Sequence, residues 1–209
     1  MPAPATVLVT GFGPFGGGTA NPSGDVLPLV ADAWTRPERL VTAVLPVEFG
    51  TSGDALRVLL DAHRPSVVVA LGLAQGRSAI TPERVAVNLD DARIPDNAGA
   101  QPCDAPVVAD GPTAYLSTLP VKAAVAAVRA AGLPAELSHT AGSYVCNHVF
   151  YALQHALAGR GVRSGFVHVP GYDVLAAPQL AVGVTALLGA VLDRSADAGD
   201  LVVAAGIVD

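Results

Sequence analysis

The run Val67-Val-Val-Ala-Leu71 constrains the fold more than any other stretch of this chain. It is short, apolar and β-branched, and it lies between Pro65 and Gly76. A strand of this kind is buried on both faces, so the sheet that holds it must be covered above and below. The rest of the chain supplies both the sheet and the cover. Strands are expected at Thr6–Thr10, Leu40–Pro46, Glu136–His139 and Gly165–Val169. Helical periodicity falls at Gly24–Ala33, Gly50–His63, Val121–Ala131, Cys146–Ala158 and Pro178–Leu192. Strands alternating with helices predict βαβ units and a mostly parallel twisted sheet. One segment interrupts the alternation. Residues Ile80–Asp110 are too polar for a core and too long for an ordinary connection, as functional loops often are.

Composition narrows the function. Apolar residues make up 51% of the 209 residues, enough for a sizeable core in one domain, while charged residues make up 14%. The net charge of −6 and the lack of a basic stripe argue against a nucleic-acid partner. No apolar stretch approaches the ~20 residues of a membrane span. The N-terminus shows no basic region ahead of an apolar core, so no secretory leader is expected. The two cysteines, Cys103 and Cys146, do not make a disulfide framework, and the default location is the reducing cytoplasm.

The loop Gly11-Phe-Gly-Pro-Phe-Gly-Gly-Gly18 follows the first strand and fits the G-x-G-x-x-G dinucleotide spacing. Its context argues against that role. Gly17, Gly18 and Pro22 oppose a helix start near the third glycine, and the second strand carries no acidic residue at its tip before Glu48. The Walker lysine is absent as well. A turn-rich connection explains the glycines, and Phe12 with Phe15 could wall a small apolar pocket or simply pack in the core.

Cys146 opens a helical pattern in which Val149, Phe150, Leu153 and Leu157 share its side. A thiol in a first helical turn meets the positive end of the macrodipole, which favours thiolate and suits a nucleophile. The competing reading is a small buried hydrophobe. Cys103 has no such placement. Among the histidines, His148 and His155 lie about 200° and about 180° around the helix from Cys146. His63 reads as solvated, and His139 has no clear direction. His168 lies toward the C-terminal end of the strand after the cysteine helix, where parallel sheets place their sites. A hydrogen-bonded core histidine is the alternative there. Glu83, Asp90, Asp91 and Asp96 are equal candidates for the acid that would orient an imidazole. No pair of His or Cys has zinc-ligand spacing, so no metal is expected.

Several motifs in order resemble the pyroglutamyl peptidase I family of cysteine peptidases. They are Val9-Thr-Gly-Phe-Gly-Pro-Phe-Gly-Gly17 with Asn21-Pro-Ser23, Ile80-Thr-Pro-Glu-Arg-Val-Ala-Val-Asn88, Asp90-Asp-Ala-Arg-Ile-Pro-Asp-Asn97, Asp110-Gly-Pro112, Ser117-Thr-Leu-Pro120, Ala141-Gly-Ser-Tyr-Val-Cys-Asn-His148 and Gly165-Phe-Val-His-Val-Pro170. The resemblance implies a single α/β/α sandwich over residues 1–209, a homotetramer, and no metal or nucleotide cofactor. It implies Glu83, Cys146 and His168 as the catalytic set, with Arg93 at the position of an active-site arginine. It also implies a lactam pocket at the glycine-rich loop, with Phe12, Phe15 and Asn21, for peptides that begin with pyroglutamate. Beyond His168 the match thins, and Leu73 stands early in the loop Gly72-Leu-Ala-Gln-Gly-Arg77. Those departures keep open an amidase acting on another cyclic acyl group, or a non-catalytic binding relative.

Overall fold

The computed structural model describes residues 5–194 and 198–206. Its centre is a five-stranded sheet in the order β2-β1-β3-β7-β4. Strands β1 (Thr6–Phe12), β2 (Arg39–Leu45), β3 (Val67–Leu73) and β7 (Arg163–Val169) run parallel, and the two-residue β4 (Thr81–Pro82) pairs antiparallel at the edge. Alternation along the strands feeds two separate cores. Val7, Val9, Val67, Val69 and Leu71 face one core, which is covered by α2 (Leu27–Asp32), α4 (Val121–Ala130) and α6 (Ala177–Asp193). Leu8, Val68, Ala70 and Phe166 face the other, which is covered by α3 (Phe49–His63) and α5 (Val145–Leu157). The fold is a single-domain α/β/α sandwich, and β3, buried from Val67 to Gly72, is its spine.

Two expected elements came out differently. The helix expected over Gly24–Ala33 is two pieces, α1 (Pro22–Asp25) and α2, with the break at Val26. Pro28 has no N–H to continue the ladder. The strand expected at Glu136–His139 is a line of bridges instead. Residues 134–138 run beside 80–84, with Ile80 N–H donating to Pro134 O, Glu136 N–H to Ile80 O, Ser138 N–H to Pro82 O and Arg84 N–H to Ser138 O. The bond missing from that parallel pattern is the one Pro82 would have donated, so one proline splits the ladder.

The glycine-rich loop has a packing role at its start. A Cβ on Gly11 would lie 2.0 Å from the Ser23 carbonyl oxygen, and one on Gly24 would lie 2.4 Å from the Phe12 carbonyl oxygen. The two glycines let α1 cross the end of β1 in backbone contact. The helix after this loop is one turn long, with Asn21 as its N-cap.

The polar segment 80–110 folds back onto the molecule. It contributes β5 (Val85–Val87), which pairs with β6 (Ala114–Leu116). Asp96 accepts from the Phe49 N–H at 2.8 Å, at the start of α3, and Asn97 Nδ2 donates to Pro14 O at 2.9 Å. Tyr144 Oη donates to Pro95 O at 3.1 Å. These bonds tie the segment to the glycine-rich loop and to the start of α5.

Candidate active site

The C-terminal ends of β3 and β7 meet the start of α5. Gly72 on β3 is the register partner of His168 on β7. A Cβ on Gly72 would lie 2.9 Å from Cys146 Sγ and 2.6 Å from the Phe166 ring. The sulfur therefore rests over the bare backbone beside His168. Cys146 is the second residue of α5, and the N-cap Tyr144 makes no side-chain capping bond. The first N–H groups of the helix are left without a capping side chain, next to the sulfur.

Glu83 follows β4, and its N–H donates to Phe166 O at 2.8 Å, which holds it alongside β7. Its Oε1 lies 2.7 Å from His168 Nδ1. Glu83 is fully buried and His168 is 4% exposed. The same Oε1 accepts from Arg77 Nη1 at 2.6 Å. Arg77 also donates to Thr81 Oγ1 at 2.6 Å and to Thr140 O at 2.8 Å.

Electrostatics at the thiol run against the expectation of a low-pKa thiolate. Burial pushes the Cys146 thiol up to about 12, the Glu83 charge adds to the rise, and Arg77 opposes it. Desolvation is the largest influence on the thiol. His168 is lowered from its usual value, chiefly by burial, while its bond to Glu83 works the other way. Both shifts favour the uncharged forms, thiol and neutral imidazole.

A narrow apolar cleft opens beside the sulfur. Phe12, Phe15, Val47, Leu73, Tyr144 and Cys146 are among its walls. Its empty space is about 230 Å³. The cleft is slot-like. Wider clefts lie elsewhere, with about 940 Å³ of empty space along α4 and about 890 Å³ between α3 and α5, and neither includes Cys146.

The pyroglutamyl peptidase family profile matches residues 5–191 of the sequence. The chain belongs to the pyroglutamyl peptidase family. It is 50% identical over 214 aligned positions to the pyrrolidone-carboxylate peptidase of Clavibacter michiganensis, with 98% of this chain and 99% of that protein covered. It is 56% identical to the pyrrolidone-carboxylate peptidase of Streptomyces coelicolor, over 78% of this chain and 77% of that one. The crystal structure of pyroglutamyl peptidase I from Bacillus amyloliquefaciens superposes with a TM-score of 0.90 at 35% identity, covering 96% of this chain and 100% of that one.

Each residue that the family motifs single out has a definite place. Glu83, Cys146 and His168 lie together. Phe12 is buried against Phe166, at 6.4 Å between centroids, and Phe15 is half-buried against Tyr144 at 6.3 Å. Asn21 reaches the cleft, but most of its amide is engaged in holding the loop. Nδ2 donates to Gly13 O at 2.8 Å, and Oδ1 accepts from the Ser23 N–H and hydroxyl. Arg93 is exposed and makes no hydrogen bond or ion pair among the described residues. The other acids have different tasks. Asp90 pairs with His148 Nδ1 at 2.8 Å, Asp96 accepts backbone N–H groups, and Asp91 is exposed. His155 meets Tyr115 Oη at 2.9 Å, His63 ends α3 half-buried, and His139 Nδ1 is buried without a partner. Cys103 is exposed.

Sequence reasoning missed Arg77. Its only signal was a lone arginine at the end of the loop after β3, six residues before Glu83. No cluster of three or more His, Cys, Asp or Glu among the described residues could hold a metal. No helix among them is long and apolar enough to cross a membrane.

Proposed function

We propose that this chain hydrolyses the amide bond after an N-terminal pyroglutamyl residue, with Cys146 as nucleophile, His168 as proton carrier and Glu83 as its orienting acid. The observation that carries the reading is the Glu83–His168 bond beside a thiol that opens onto a narrow apolar slot. Pyroglutamate is flat, uncharged and lacks a free amine, so a slot walled by Phe12, Phe15 and Leu73 suits it better than an acidic amine site would. Val47 and Val145 also line the slot, and its narrowness supports entry of one ring with the rest of the peptide outside, as an exopeptidase requires.

The chemistry follows from the resting thiol. As Sγ bonds to the scissile carbonyl carbon, the thiol proton passes to Nε2 of His168. The Glu83 carboxylate accepts a hydrogen bond from Nδ1–H, without taking the proton, and stabilises the imidazolium that forms. The oxyanion meets the uncapped N–H groups at the start of α5, and exposed Arg93 is the candidate to swing in from outside. The C–N bond then breaks as imidazolium gives its proton to the leaving amine. Water, deprotonated by His168, cleaves the thioester and restores the thiol. No metal or nucleotide enters this scheme.

Further parts of the reading rest on the family resemblance: one catalytic domain over residues 1–209, a homotetramer and a cytoplasmic location. A reducing compartment suits two free cysteines. Leu73 in the slot wall supports a second reading, hydrolysis of amides of another cyclic acid. One assay decides between them: release of a fluorogenic amine from pyroglutamyl, prolyl and alanyl amides by the reduced protein. The expected result is pyroglutamyl hydrolysis alone, lowered by on the order of 10⁴ or more in a folded Cys146→Ala variant. Preference for a different cyclic acyl amide would favour the second reading. Absence of all hydrolysis by the folded, reduced chain would overturn the enzyme assignment.

A further inference from the structure

Glu83 is fully buried, and both of its side-chain partners sit on one oxygen. Its Oε2 is buried with no partner among the described residues. An ionised carboxylate in such a place is unstable unless a cation compensates it. Burial works against a charged His168 in that role. Arg77 can fill it: its Nη1 lies 2.6 Å from Oε1 and its Nη2 is anchored on the Thr140 carbonyl. We propose that Arg77 is a positioning residue for the reaction proposed above, keeping Glu83 ionised and fixed so that Glu83 holds the Nδ1 proton of His168 and leaves Nε2 free for the proton of Cys146. This proposal rests on that reaction, but one of its tests does not.

Without Arg77, no cation would touch the buried Glu83 carboxylate, whose Oε2 already lacks a partner among the described residues. A protonated Glu83 donates to Nδ1 instead of accepting from it. The imidazole then carries its proton on Nε2 and cannot accept the thiol proton. The surrounding charges leave the sign clear. His168 and Cys146 are both acted on by Glu83 and by Arg77. Glu136 lines the cleft on the open side of Arg77, Arg84 follows Glu83 in the chain, and His139 lies between Ser138 and Thr140 on the neighbouring segment. The Arg77 charge lowers both His168 and Cys146, so its loss, with the Glu83 carboxylate in place, moves both upward.

The test compares wild type, Arg77→Gln and Arg77→Lys by two readouts. The first is the acid limb of kcat/KM for a pyroglutamyl amide. The second is the ¹⁵N-histidine NMR titration of His168, assigned with His168→Asn, which needs no turnover. The Gln variant should move both midpoints up by about one unit, and the Lys variant should hold them near wild type. A purely structural role would lower kcat/KM and leave both midpoints in place, and that result would overturn the proposal. If wild type cleaves no pyroglutamyl amide, the function is wrong while the NMR titration still judges Arg77. If Arg77→Gln does not fold, the double variant Arg77→Gln/Glu83→Gln decides. It should fold again, because the uncompensated carboxylate is gone; a double variant as unfolded as the single one would refute the idea.

Discussion

At Gly72 the sheet carries no side chain, and the sulfur of Cys146 occupies the space one would fill. Gly72→Ala would push a methyl group into Sγ and into the Phe166 ring, which itself packs on His168 at 4.9 Å. The expected cost is about 1–3 kcal/mol of stability. Activity should fall further, by roughly 100-fold in kcat/KM, because a shift of about 1 Å spoils an attack geometry. Thermal melts and kinetics on one preparation read the two effects separately. Residue identity made Cys146 and His168 candidates from sequence, since a thiol at a helix start and a histidine at a strand end have recognisable settings. Glu83 was chemically indistinguishable from Asp90, Asp91 and Asp96 until the family motifs separated them. Arg77 was illegible because what marks it is a buried partner, and burial of a loop acid has no periodicity to read. The thiol's protonation was misjudged for a related reason: the helix terminus is visible in sequence, while desolvation depends on what packs around it.

Among the elements, the crossing of β1 by α1 is the tightest contact described. Gly11→Ala would set a methyl carbon 2.0 Å from a backbone carbonyl oxygen, which no rotamer change relieves. A loss of about 4 kcal/mol or more is expected. Urea unfolding should show it as a lower midpoint at unchanged m-value. The same contact explains why the glycine spacing mimicked a dinucleotide loop: both uses need backbone to approach backbone, and only the helix that follows tells them apart. Strands β1, β3 and β7 were legible as short apolar runs buried on both faces, and helices α3 to α6 by an apolar face of helical period. The misread elements failed at prolines. Pro28 divides a helix whose apolar pattern is continuous, and Pro82 splits a ladder whose strand-like residues, 134–138, lie more than fifty positions away.

Across the whole molecule, one face of the sheet is closed by α2, α4 and α6 over an apolar core, and the chemistry is confined to the other. There the segment 80–110 is bound to the rim through Asp96, Asn97 and Pro95, so the site's surroundings are fixed from three directions. The protonated resting thiol gives this arrangement a further consequence, in redox chemistry. Peroxide attacks thiolates, and the step to sulfenic acid is slow for a sulfur that holds its proton. Cys103, exposed on the surface, should be the first to oxidise. Brief treatment with dilute hydrogen peroxide, followed by peptide mass spectrometry, should find oxidised Cys103 while Cys146 and turnover are intact; simultaneous loss would contradict it. An idle molecule of this kind carries its reactive atom in a form that oxidants pass over, and arms it only when an acyl group arrives to receive the electrons.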